Sequence, residues 1–142
     1  MSELKFATRL NSFASGAHRY WPDLQGKPSV LQMIARAGTV NGLTHLDLNY
    51  PQHITQDIPS MRQAIADAGL AVNGMQMRWD APQFKIGAFT HPDAAVRREA
   101  IELTKRGIDA GREFGASLMT LWMGQDGFDY CFQADYKKMW ED

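Results

Sequence analysis

Residues 87–130 read GAFTHPDAAVRREAIELTKRGIDAGREFGASLMTLWMGQDGFDY, and this stretch decides the fold. Thr90-His91-Pro92-Asp93 is a helix start: the Thr90 hydroxyl can accept an early backbone N–H while Asp93 reaches back to the cap. Val96, Ala100, Leu103, Gly107, Ala110 and Phe114 then recur at steps of four and three, which lays one apolar stripe along a long helix. Arg98 with Glu102, and Glu102 with Arg106, are spaced for four-residue ion pairs on the opposite side. Gly115 stops the helix, and residues 116–123 form an apolar strand.

Working outward, the same alternation recurs. Residues 5–13 place Phe6, Thr8 and Leu10 on one face and Ala7, Arg9 and Asn11 on the other, the pattern of a first strand. Pro28 opens a helix with Val30, Ile34 and Ala37 in register and Gly38 where a left-handed cap belongs. Residues 43–50 alternate again, Leu46 and Leu48 against Asp47 and Asn49, and Pro51 ends them. A second helix from Pro59 carries Met61, Ile65 and Ala68 and stops at Gly69; residues 70–79 then give a third strand, with Gly74, Gln76 and Arg78 opposite Met75 and Met77. Asp135 caps a last helix from Tyr136, which reaches Asp142 after about two turns, short of the usual three. The order β-α-β-α-β-α-β-α implies parallel strands joined by right-handed crossovers, in an open sheet or a closed barrel.

Composition narrows the function. Of 142 residues, 44% are hydrophobic, 22% charged and 11% aromatic, which excludes disorder and collagen. Fifteen Lys and Arg against sixteen Asp and Glu leave a net charge of -1, a poor footprint for nucleic acid. No apolar run approaches a membrane span, and the first residues lack the apolar core of a signal peptide, so a cytoplasmic protein with no membrane partner is expected. Cys131 is the single cysteine, which rules out an intrachain disulfide and spells out no cysteine zinc site.

An open nucleotide-binding sheet would carry a glycine-rich turn after the first strand, but that turn reads Ser12-Phe13-Ala14-Ser15-Gly16-Ala17-His18. The strand ends instead offer Asn11, Asp47, Asn49, Gln76, Arg78 and Trp122, and in a barrel the carboxyl ends of the strands hold the ligand. Residues 87–130, about a third of the chain, resemble the xylose isomerase-like TIM-barrel superfamily, in which similar F-T, D, V-R-R, A-I, R, I-D, E-x-G-A, L-W-x-G and acidic-Gly elements run in this order. The resemblance implies an α/β fold, a (β/α)8 barrel of which residues 1–142 are about four units, the amino-terminal part of one domain. It implies a sugar isomerase or epimerase that interconverts aldose and ketose with a divalent ion, Mn, Mg or Co, as Lewis acid. In the family the metal ligands come from later strands, so none is assigned in this chain and the chain alone is expected to be inactive.

The resemblance also bears on single residues. Trp122 matches the aromatic residue of L-W-x-G that walls the sugar pocket in relatives; a core indole at the barrel rim is the equal alternative. Asp47 and Asn49 stand near the position of the catalytic His of xylose isomerase itself, and Leu46-Asp47-Leu48-Asn49-Tyr50-Pro51-Gln52-His53 departs from that pattern. His53 can substitute from the loop, although a lone loop His is commonly solvated. Arg78 suits an anionic substrate group, with a structural ion pair as the other reading. His18, Arg19, Tyr20 and Trp21 can form a lid or pack on the next loop, and Gln125, Asp126 and Asp129 can bind substrate hydroxyls or form a turn. The substrate-binding set is therefore Asn11, Asp47, Asn49, His53, Gln76, Arg78 and Trp122, for a small-molecule sugar or sugar phosphate, with a homo-oligomer expected at full length. Two readings compete: a non-catalytic carbohydrate-binding half-barrel, and an abasic-site endonuclease of the same superfamily, which the neutral charge disfavours.

Overall fold

A computed structural model describes residues 4–124, 126–127, 132 and 134–142. Its elements run β1 (Ala7–Arg9), α1 (Ala17–Tyr20), α2 (Val30–Gly38), β2 (His45–Tyr50), α3 (Ile58–Asp67), β3 (Ala71–Met77), α4 (Ala94–Phe114), β4 (Leu118–Leu121) and α5 (Tyr136–Glu141). The four strands form one parallel sheet in the order β1-β2-β3-β4. A doubly wound sheet reverses its strand order at a switch point, whereas a barrel adds strands sequentially, so this α/β arrangement is that of four consecutive units of a (β/α)8 barrel.

The two faces of the sheet differ in what they touch. Leu46, Leu48 and Met75 are fully buried with Met33, Ile34, Met61, Ile65 and Phe114 from the helices. Met77 packs in a second cluster with Trp79, Phe84 and Ala100. Each such side chain stabilises the fold by about 1.5–3 kcal/mol through apolar burial. A Cβ on Gly107 of α4 would lie 3.0 Å from Met77 Sδ and 3.1 Å from Tyr50 Cδ1, so the long helix rests its glycine directly on β2 and β3. The alternate residues Asp47, Asn49, Gly74 and Gln76 therefore lie on the face away from the helices, the interior side of a barrel wall.

Several local expectations are corrected. The first strand spans only Ala7–Arg9, because Leu10–Phe13 turns into a 3-10 helix closed by Ala14 N donating to Asn11 O. Asn11 is consequently exposed on a turn and not part of a strand. Gly38 is the last residue of α2 rather than a left-handed cap, and its need for glycine is steric: a Cβ would come within 2.7 Å of Ala68 O. α2 starts at a full capping box, Ser29 Oγ accepting from Gln32 N while Gln32 Oε1 accepts from Ser29 N, worth about 1 kcal/mol. α4 is capped by Asp93, which accepts from Ala95 N, and not by Thr90. On its outer side Glu102 pairs with Lys105 at 2.6 Å, three residues away, rather than with the arginines expected four residues away on either side. Gly115 does adopt the left-handed conformation, at φ 74°, and Asp135 does cap α5 through Lys138 N.

Candidate functional site

The inner face gathers its polar side chains at the carboxyl ends of the strands. Trp122, directly after β4, is tied to the sheet by its backbone N–H to Met77 O at 3.2 Å. Its indole Nε1–H donates to Gln76 Oε1 at 2.6 Å. Gln76 is buried, 5% exposed, while Trp122 keeps 37% of its surface open, so the amide fixes an indole that solvent still reaches. The guanidinium carbon of Arg9 lies 4.2 Å from the ring centre and that of Arg78 4.8 Å, both within cation–π range. Neither arginine makes an ion pair among the described residues. Arg78 Nε is buried and has no hydrogen-bond partner.

Further along the same face, Asp47 accepts from Asn73 Nδ2 at 2.8 Å and lies beside Gly74, where a Cβ would crowd Asp47 Oδ1 to 3.0 Å. Asn49, paired in register with Gln76, is buried with its Oδ1 unpartnered. His53 is 6% exposed rather than solvated, because His53 N donates to Asn49 O at 2.9 Å and the returning turn places Nδ1 2.8 Å from Asn49 N. That bond requires an unprotonated Nδ1, which puts the proton on Nε2. Burial lowers the pKa of the ring from 6.5 to about 4, so it is neutral at physiological pH.

The sequence-derived residues are thus divided. Asp47, Asn49, Gln76, Arg78 and Trp122 share the inner wall; His53 stands behind Asn49; Asn11 is exposed on the 3-10 turn that follows β1. Arg9 was not singled out by sequence reasoning, although the alternation that put it opposite Thr8 and Leu10 was the available signal. The first loop does not assemble as a lid: Trp21 is half-buried against Arg36 of α2, with the guanidinium 5.6 Å from its ring centre, and Arg19 lies over Tyr20. Asp126 is committed to the preceding loop, its Oδ1 accepting from Ala88 N, Thr90 N and Thr90 Oγ1 at 3.0, 2.8 and 2.9 Å. Gln125, Asp129 and Cys131 lie outside the described residues. A groove of about 410 Å³ opens at the other end of the sheet between Pro59, Leu70 and Phe114, where a barrel carries stability rather than chemistry. No three His, Cys, Asp or Glu side chains converge among the described residues, so these residues do not fit a divalent ion. None of the described helices is long and apolar enough to cross a membrane.

No protein-family model matches the chain. The curated proteins similar to it include three isomerases or probable isomerases. A 92-residue stretch, 64% of the chain, is 32% identical to a xylose isomerase of Thermus thermophilus and covers 24% of that protein. A match over 119 residues and 80% of the chain is 27% identical to a probable sugar isomerase of Rhizobium meliloti, covering 26% of it. One over 150 residues and 96% of the chain is 25% identical to a probable sugar isomerase of Mesorhizobium japonicum, covering 35% of it. The chain therefore spans about a quarter to a third of the length of these relatives.

Proposed function

We propose, from the premise that the chain is related to the xylose isomerase-like superfamily, that it forms the sugar-facing wall of an isomerase that interconverts aldose and ketose or epimerises a sugar. The observation that carries this reading is the Trp122 indole, held by Gln76 at 2.6 Å on the carboxyl rim of a parallel sheet. A sugar ring has an apolar C–H face and a polar edge. The flat indole suits the first, and Gln76, Asn49 and Asp47 suit the hydroxyls of the second. Moving hydrogen between adjacent carbons requires the substrate to be held in one orientation with water excluded, and these side chains supply orientation.

In this reading a divalent ion, Mn, Mg or Co, would supply Lewis-acid chemistry at the substrate oxygens, held by ligands from polypeptide outside the described residues. The protein works in the cytoplasm on a small-molecule sugar, as a homo-oligomer, without nucleic acid or membrane as partner; the formal charge of -1 supports the last point.

The test is turnover of aldoses and ketoses by a polypeptide of the relatives' length with added manganese, magnesium or cobalt. Conversion is expected, with Trp122→Ala raising KM tenfold or more. A polypeptide of that length that converts no aldose or ketose with any of the three ions overturns the isomerase. Turnover by the 142-residue chain alone would overturn the placing of the metal ligands.

A further inference from the structure

We propose that Arg9 and Arg78, held on the Trp122 ring, form an oxyanion subsite, so that the sugar taken at this wall carries a phosphate ester or a carboxylate. The inference rests on the sugar reading above and names its substrate class.

Two guanidinium groups whose carbons lie 4.2 and 4.8 Å from one ring centre are like charges no more than about 9 Å apart, and the ring quadrupole offsets only part of their repulsion. A fold that merely needed a covered indole would do so with one cation or with apolar side chains. Natural proteins that bring arginines together commonly place a carboxylate between them, and none stands there among the described residues. Asp47, the register neighbour of Arg9 across β1 and β2, makes no ion pair with it, and its Oδ1 accepts from the Asn73 amide. The buried Arg78 Nε–H has no acceptor among the described residues, so its partner is supplied from outside the protein, by water or by a ligand oxygen that displaces it. Guanidinium forks match the geometry of phosphate and carboxylate oxygens, and Trp122 is open enough, at 37% exposure, for a ligand to reach both forks beside it. A polyol lying on the indole would then point its charged end at the arginines.

The experiment titrates the full chain at constant ionic strength with inorganic phosphate, ribose, ribose 5-phosphate and ribonate. Calorimetry reads affinity, and the Trp122 indole ¹H–¹⁵N resonance, assigned with Trp122→Phe, reads location. Ribose 5-phosphate or ribonate is expected to bind at least tenfold tighter than ribose and to move that resonance; the tighter of the two tells ester from acid. Arg9→Gln and Arg78→Gln are each expected to weaken the anion tenfold or more while ribose affinity changes less than threefold. Arg9→Lys and Arg78→Lys, which keep the charge and lose the fork, should fall between, and they serve as the comparison if a glutamine variant fails to fold. Ribose binding as tightly as both anions, or anion affinity indifferent to either arginine, overturns the subsite and leaves the sugar wall standing. Inorganic phosphate binding as tightly as ribose 5-phosphate, with arginine dependence, keeps the oxyanion site and removes the sugar. No binding by any of the four overturns both.

Discussion

The indole N–H of Trp122 donates to the side-chain oxygen of Gln76 across the β3–β4 junction, at 2.6 Å. This bond is the hinge between packing and recognition at the strand ends. Gln76→Leu removes the acceptor and leaves a part-buried donor unpaired, at a cost of about 1–2 kcal/mol. Gln76→Glu retains an acceptor and should lose less than Gln76→Leu, the neighbouring Arg9 and Arg78 offsetting part of the cost of burying its carboxylate. Urea unfolding separates the two, and equal losses in both variants would show that the bond is not the determinant.

Glycines of α4 give a pair of opposite outcomes. A methyl on Gly107 meets Met77 Sδ at 3.0 Å and Tyr50 Cδ1 at 3.1 Å, whereas one on Gly111 meets nothing nearer than Met75 Cβ at 3.8 Å. Both substitutions gain up to about 1 kcal/mol of helix propensity. Gly111→Ala should therefore stabilise by about 0.5–1 kcal/mol, and Gly107→Ala should destabilise by about 1 kcal/mol or more, the overpacking exceeding the gain. Thermal unfolding of the two variants is the check.

His53 predicts a pH dependence. Its pKa is lowered from 6.5 to about 4 by burial, so the unfolded chain takes up the proton well before the folded one does. The stability it contributes is complete above pH 6.5 and is lost as pH falls from there to about 4, a total of about 3 kcal/mol. Urea midpoints at pH 7.5, 5.5 and 4.5 should fall in that order, and His53→Gln should flatten that part of the profile.

Asp126 predicts a local effect. Its Oδ1 holds two backbone N–H groups and one hydroxyl of residues 88–90. Asp126→Ala should cost about 2–3 kcal/mol, because hydrogen bonds to a charged acceptor are the stronger kind. Amide exchange at Ala88 and Thr90 should accelerate at least tenfold in the variant.

Much of this was legible in the sequence, for reasons that differ by element. β2 and the stripe of α4 could be read because their apolar residues hold one period and face one layer of helices. β1 was read too long, since Leu10 continues the alternation although the backbone has already turned to bond Ala14 N to Asn11 O. His53 was placed among the substrate-binding residues with a solvated loop ring as the other reading, and its burial was missed because it depends on a turn that folds it back onto Asn49, a contact with no periodic signature. Arg9 shared its face with small and polar residues, and only the arrival of Trp122 from the far strand of the sheet gives it a role.

The register of β3 carries one more lesson. Leu46 pairs with Val72 but Asp47 pairs with Gly74, so Asn73 is a supernumerary residue in the ladder. Up to Val72 the even-numbered side chains of this segment belong to the hydrophobic layer; after Asn73 they belong to the open wall. A single inserted residue thus acts as a parity switch: with Asn73 kept but its bulge flattened into the ladder, Met75 and Met77 would take the ligand's side and Gln76 and Arg78 would pass beneath the helices, whereas deleting it would leave both where they are.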